Sequence, residues 1–476
     1  MAETKKLHIA LFPWLAFGHI IPFLELGKRI ARKGHQISFI STPRNIERLP
    51  KISPDVLTSI TLVKLPLPHV ENLPENAEST MDVPHHLVPY LKTAHDGLQE
   101  SLSDFLQTSA PDWIIHDFAP HWLPPIATKL GIRRVFFSVF NASILCFAGP
   151  SKSSTTDAVD PTSTRTEPEH FIVPPKWVPF PTKIAPRLFE AKKLIGNHME
   201  ENASGVSDIS RYMQAVVGAE ALAVKTCSEV EGEWLKLLGQ LHDAPVFPVG
   251  SLPSPAQERG VDKDGTWGTI VEWLDKREKG SVVYVAFGTE VQPSQEDLNE
   301  LALGLEQSGF PFFWALRKRS SSVIGGDMAE LPEGFEERTR GRGIVWPSWA
   351  PQFRILAHES VGGFLNHCGW SSVAEAFQLG RPLIMLPISM DSGLIARLIE
   401  ERQAGVEVPR NEQDGSFTRD SVTQTLRLVM KDEEGQIYRD KAKEMSAIFG
   451  DEDLQDRYAA NCVDFLENHR HVVRGL

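Results

Sequence analysis

The stretch Leu7–Ile40, LHIALFPWLAFGHIIPFLELGKRIARKGHQISFI, decides the fold. Leu7–Pro13 is an apolar run of strand length. His19–Lys33 then carries apolar residues at helical spacing, with Pro22 tolerated in the first turn and Gly34 placed to stop the helix. Gln36–Ile40 returns to a strand pattern. The alternation continues through Ile60–Leu65, Trp113–Asp117 and Arg134–Ser138. Strands alternating with helices predict a parallel sheet covered on both faces.

The pattern restarts later. Gly149–Pro181, rich in Ser, Thr and Pro, reads as a long surface loop, and Pro245–Asp264 reads as a linker. Ser281–Gly288 (SVVYVAFG) is a buried-strand run. Ser294 with Asp297 has capping-box spacing, Leu298, Leu301, Ala302 and Leu305 follow at helical spacing, and Gly309 stops the helix. Phe312–Leu316, Ile344–Trp346, Val361–Leu365 and Leu383–Leu386 read as further strands, and Asp391–Gln403 as a helix. The expected division is an α/β domain over residues 1–247, a linker over 248–264 and a second α/β domain over 265–454. A chain of 476 residues is long for a single core, which agrees.

Composition narrows the function. The formal net charge of −13 argues against a nucleic-acid partner, because a phosphate backbone attracts basic surfaces. Cys146, Cys227, Cys368 and Cys462 lack metal-type spacing and read as reduced, buried thiols. The apolar run Ile9–Phe17 is short and lacks a cleavage-like site, so it reads as a strand rather than a signal peptide. No window reaches the ~20 apolar residues of a membrane span. Cytosol is the expected compartment and monomer the default state.

In doubly wound sheets, ligands bind at the carboxyl ends of the strands. The first strand runs through FPWLAFGH to His19 at a helix start. There the dipole disfavours imidazolium, and a neutral ring can act as a general base; a half-buried structural histidine is the alternative. Asp117 ends WIIHD. It reads either as the carboxylate that fixes the His19 tautomer or as a cap for the next segment. Strand alternation turns His116 the other way.

The second half holds WAPQFRILAHESVGGFLNHCGWSSVAEAFQLGRPLIMLPISMDS, residues Trp349 to Ser392. These 44 residues resemble the signature box of plant family 1, secondary-metabolite UDP-glycosyltransferases. Trp349, Ala350, Pro351, Gln352, His358, His367, Cys368, Gly369, Trp370, Ser372, Glu375, Gly380, Pro382 and Asp391 carry the match. FPWLAFGH, STPRNIERLP, PDWIIHD and SVVYVAFGTE extend it over nearly the whole chain, towards the branch that often adds a sugar to an existing glycoside.

The resemblance implies the GT-B architecture: two Rossmann-like domains facing across a cleft, acceptor in the first and UDP-sugar in the second. It also implies a C-terminal helix, about 455–476, packed back on the first domain. It implies an inverting enzyme with no required metal or cofactor; the UDP-sugar is a co-substrate. His19 would be the base and Asp117 its orienting partner. Trp349 offers a flat face to uracil, or is a core tryptophan. Ala350 meets the uracil edge through its backbone. Gln352 and Glu375 bind ribose hydroxyls, though Ser372 and Glu375 also have capping-box spacing. His367, Gly369, Ser371, Ser372 and the helix N-terminus hold the diphosphate, with Thr289 beside it. Trp370, Asp391 and Ser392 fall to the sugar.

Two positions depart from the family. Ser371 stands where Asn is common, and Ser392 where Gln closes the box. A serine hydroxyl cannot reproduce the two-pronged grip of a glutamine amide. UDP-glucose leads on family frequency, followed by UDP-rhamnose or a UDP-pentose. The acceptor is expected to be a small lipophilic flavonoid, terpenoid or glycoside, with 82–90, 140–150 and 188–202 as candidate lining.

Asp262-x-Asp264 and Asp451-x-Asp453 follow no buried strand and read as solvated charge, not metal pairs. A nicotinamide oxidoreductase fails for want of an early GxGxxG with its acidic partner. A catalytically silent nucleotide-sugar binder is the remaining rival.

Overall fold

A computed structural model describes residues 6–150, 165–252, 265–288, 293–316 and 330–469. Seven strands form the first sheet: β1 (His8–Phe12), β2 (Gln36–Ser41), β3 (Ile60–Lys64), β4 (Trp113–His116), β5 (Arg133–Ser138), β6 (Ala221–Val224) and β7 (Val246–Pro248). Their order is β3-β2-β1-β4-β5-β6-β7, and every pairing is parallel. The second sheet has six: β8 (Val282–Ala286), β9 (Phe312–Ala315), β10 (Gly343–Trp346), β11 (Val361–Asn366), β12 (Leu383–Met385) and β13 (Gly405–Glu407). Their order is β10-β9-β8-β11-β12-β13, again parallel.

Each sheet reverses its winding between its first strand (β1, β8) and the strand beside it (β4, β11). That reversal opens a crevice at the strand carboxyl ends. Central strands are buried on both faces, which is why their sequences are continuous apolar runs rather than alternating ones. Between β1 and β2 lies the helix Phe17–Arg32, beginning two residues before the predicted start, with Gly34 at φ +98° just past its end. Ser294 caps Gln295–Ser308 by accepting from Asp297 N, as its spacing predicts.

The linker expected from Pro245 begins instead as a strand: β7 pairs with β6, and Val249 is buried behind it. The later part of that stretch, with Asp262 and Asp264, lies outside the described residues. Asp451 caps the helix Glu452–Asn468 by accepting from Leu454 N. This helix packs on the first sheet, where Trp113 Nε1 donates to Leu466 O at 3.2 Å and Cys462, Val463 and Leu466 join that core. All four cysteines are free and buried. Among the described residues, no helix is long and apolar enough to cross a membrane.

Candidate active site and nucleotide-sugar cleft

His19 occupies the first turn of its helix, and Asp117 follows β4, the neighbour of β1. The two meet: His19 Nδ1 lies 2.7 Å from Asp117 Oδ2. A carboxylate only accepts, so Nδ1 carries the proton of this contact. Asp117 is held in turn. Its Oδ2 accepts from Trp14 N at 3.0 Å and its Oδ1 from Phe118 N at 2.8 Å. Side-chain exposure is 12% for His19 and 2% for Asp117, so the pair is shielded yet reachable from the histidine side. Phe118 and Phe140 flank the imidazole, with ring centroids 5.8 and 5.4 Å away.

His116 points away, as strand alternation requires. Burial, helped by the Arg134 charge, pushes it down to about 3, so it stays neutral. His121 belongs to another cluster, 3.1 Å from Arg211 Nη1.

Across the cleft, β11 runs into a strained turn. Cys368 sits at φ +64°, a left-handed conformation rare for a residue with a side chain, and Asn366 Oδ1 accepts its N–H at 2.7 Å. Gly369 then caps the helix Trp370–Gln378, whose first N–H groups face the crevice end of the strand. His367 lies between two glycines: a Cβ on Gly369 would stand 2.6 Å from its Nε2, and one on Gly288 3.0 Å from its Cε1. Burial lowers His367 to about 4, so the ring is neutral, and its buried Nδ1 has no hydrogen-bond partner among the described residues. Ser372 is the third residue of the helix and Glu375 the sixth. Gln352 Nε2 reaches both, at 3.2 Å from Ser372 Oγ and 2.8 Å from Glu375 Oε2. Gly369, not Ser372, is the cap, so the capping-box alternative for Ser372 and Glu375 is not realised. Trp349 is 44% exposed and presents an open ring, with Ala350 half-buried beside it.

Three expectations need correction. Trp370 does not aim its side chain at a sugar. It is 5% exposed, its Nε1 donates to Lys225 O of the first unit at 2.5 Å, and its ring packs on Phe449. Ser392 is fully buried; its Oγ accepts from Ser389 N at 3.1 Å and donates to Ser389 O at 2.8 Å, closing the first turn of Met390–Glu401. Of the three residues expected on the sugar side, Asp391 is the half-buried one, accepting from Ser389 Oγ at 2.5 Å. The segment 188–202 opens with Leu188–Leu194, which grips the second unit: Glu190 pairs with Arg397, and burial raises that carboxyl above its ordinary range. Thr289 lies outside the described residues. Phe118 and Lys225 were not anticipated. Phe118 was legible in hindsight as the residue after a strand-end aspartate; Lys225 had no local signal.

Two parallel sheets opening towards one cleft, a His–Asp pair on one side and a glycine-flanked helix N-terminus on the other define a GT-B glycosyltransferase. A family model described as UDP-glucoronosyl and UDP-glucosyl transferase matches residues 268–471. The chain is 49% identical over 471 residues to UDP-glycosyltransferase 91A1 of Arabidopsis thaliana, covering 98% of each chain. It is 44% identical over 474 residues to soyasaponin III rhamnosyltransferase of Glycine max, covering 98% of this chain and 97% of that one. Among solved structures it resembles Phytolacca americana UGT2 complexed with UDP-2-fluoro-glucose and pterostilbene, with TM-score 0.73 and 25% identity over 97% of this chain and 99% of that one. The chain belongs to the plant family 1 UDP-glycosyltransferases.

Proposed function

We propose that this enzyme transfers a sugar from UDP to a hydroxyl of a small lipophilic plant metabolite by one in-line displacement. The acceptor binds against the first unit, residues 1–247, and the UDP-sugar against the second, residues 265–454. His19 Nε2 takes the proton of the acceptor hydroxyl as its oxygen attacks the anomeric carbon. Asp117 fixes the tautomer and stabilises the imidazolium that forms. The bond to the β-phosphate oxygen breaks on the far side, so the anomeric configuration inverts. UDP leaves into the N–H groups of Trp370–Gln378, with His367, Ser371 and Ser372 beside it and Thr289 as the expected neighbour. Trp349 stacks the uracil, Ala350 meets its edge, and Gln352 with Glu375 holds the ribose. No metal is needed where backbone N–H groups and a buried helix end receive the diphosphate.

The observation that supports this reading is the 2.7 Å contact between His19 Nδ1 and Asp117, the arrangement in which a carboxylate orients an imidazole for base catalysis. Phe118 and Phe140 beside it suit a flat, apolar acceptor. Relatives named for acting on soyasaponin III and on an anthocyanidin 3-O-glucoside support a glycoside as acceptor. UDP-glucose is the first donor. UDP-rhamnose is a second reading, favoured by the inward turn of Ser392, which leaves the sugar without a second side-chain grip there.

The test is a panel of UDP-sugars against flavonoid and terpenoid aglycones and glycosides, with EDTA present and product mass as readout. A mass gain of a hexose or deoxyhexose supports the reading and separates the donors. UDP binding with no product from any pair would instead favour a silent binder.

A further inference from the structure

Lys225 follows β6 at the carboxyl end of the first sheet and is 3% exposed. Its backbone is clamped from both units. The N–H donates to Ser138 O at 2.9 Å, and the carbonyl accepts from Trp370 Nε1 at 2.5 Å. Its side chain crosses to the second unit, where Nζ donates to Ser371 Oγ at 2.7 Å. Ser371 is the second residue of Trp370–Gln378, so the ammonium stands at the positive end of a helix, where the dipole opposes a cation. Among the described residues Lys225 makes no ion pair. The carboxylate that acts on it through space, Glu375, already accepts from Gln352. An ammonium has three donors, and one is spent on Ser371. At the same turn His367 Nδ1 is buried without a partner. A buried cation, an unfilled imidazole nitrogen and free helix N–H groups converge, and an anion placed among them satisfies all three.

We propose that Lys225 is a first-domain ligand of the UDP-sugar diphosphate: its ammonium, held ready on Ser371, takes a β-phosphate oxygen and carries part of the charge left there when the anomeric C–O bond breaks. This rests on the placement of the diphosphate at Trp370–Gln378 in the function proposed above. The acceptor proton goes to His19 and the electron pair of the broken bond to the β-phosphate oxygen, so nothing further is consumed. The short side chain of Ser371 leaves the ammonium within reach, and the diphosphate is gripped by both halves of the cleft.

The experiment is titration calorimetry of the full chain with UDP and with uridine, together with kcat under saturating substrates. The variants are Lys225→Met, which keeps the unbranched stem but drops the ammonium and its charge, and Lys225→Arg, which keeps the charge. Lys225→Met is expected to weaken UDP about 10–100-fold, leave uridine unchanged and lower kcat at least about 10-fold, while Lys225→Arg recovers most of the UDP affinity. Should Lys225→Met fail to fold, Lys225→Gln is read the same way. Unchanged UDP affinity and kcat would overturn the proposal. So would equal losses for UDP and uridine, which would make Lys225 a structural clamp alone. Wild-type protein binding uridine as tightly as UDP would refute the diphosphate placement itself, and this proposal with it.

Discussion

His19 Nδ1 sits 2.7 Å from an Asp117 oxygen that also accepts the Trp14 N–H, so the imidazole and the loop after β1 are tied to the same carboxylate. Asp117 therefore sets both the tautomer and the position of the ring. In Asp117→Asn, one amide end must face N–H donors it cannot accept. Turnover is expected to fall about 10²–10⁴-fold with UDP affinity unchanged. Rates from the variant, with UDP titrated in parallel, check this; near-wild-type kcat would show that Asp117 is only a cap.

Gly369 tests the His367 pocket. Its φ of −63° suits any residue, so the constraint is space alone. Alanine would place Cβ 2.6 Å from His367 Nε2, and Gly288 crowds the opposite retreat. Gly369→Ala should weaken UDP about 10-fold while costing about 1–3 kcal/mol of stability. UDP calorimetry and urea unfolding on the same sample would read both.

Ser392→Gln restores the residue usual at the end of the signature box, yet the site is fully buried. The longer side chain cannot fit where Ser392 Oγ closes the turn on Ser389. Destabilisation of about 1–3 kcal/mol is expected, with no gain in UDP-glucose turnover. A stable variant with faster glucosyl transfer would show that the Met390 helix opens towards the sugar.

Buried histidines predict acid sensitivity. His95 is stacked on Phe12 and lies among Trp14 and Trp122, and burial lowers it from 6.5 to about 4. The unfolded chain binds this proton more readily. The stabilisation is therefore complete above pH 6.5 and is lost as pH falls towards 4, on the order of 3 kcal/mol. His116 acts in the same direction, down to about 3. Urea midpoints between pH 7 and 4.5 should fall steeply for wild type and less steeply for His95→Phe. Equal slopes would mean that His95 is not the source.

Much of this was legible in the sequence because it is local. Buried runs such as Ser281–Gly288 announce central strands, Ser294 announces its helix, and His19 and Asp117 fall at strand ends where the topology puts ligands. β6 (ALAV) and β13 (GVE) are not legible because a run of three or four residues is too short to carry a period. The roles of Trp370 and Lys225 depend on partners 145 and 146 residues away, which no local pattern encodes. The setting of Ser392 is hidden for a related reason. Its box position suggests a sugar contact, whereas its hydroxyl bonds back to the N–H and carbonyl of Ser389, the cap of its helix.

The proposed mechanism has His19 Nε2 deprotonate the acceptor while the donor site binds UDP independently of it. Single-turnover rates of His19→Gln against wild type, with enzyme in excess over UDP-sugar, a reactive acceptor saturating and UDP affinity measured alongside, isolate that step. A loss of about 10²–10⁴-fold in the chemical step with UDP affinity intact is expected. A His19→Gln enzyme that transfers sugar at the wild-type rate would contradict it.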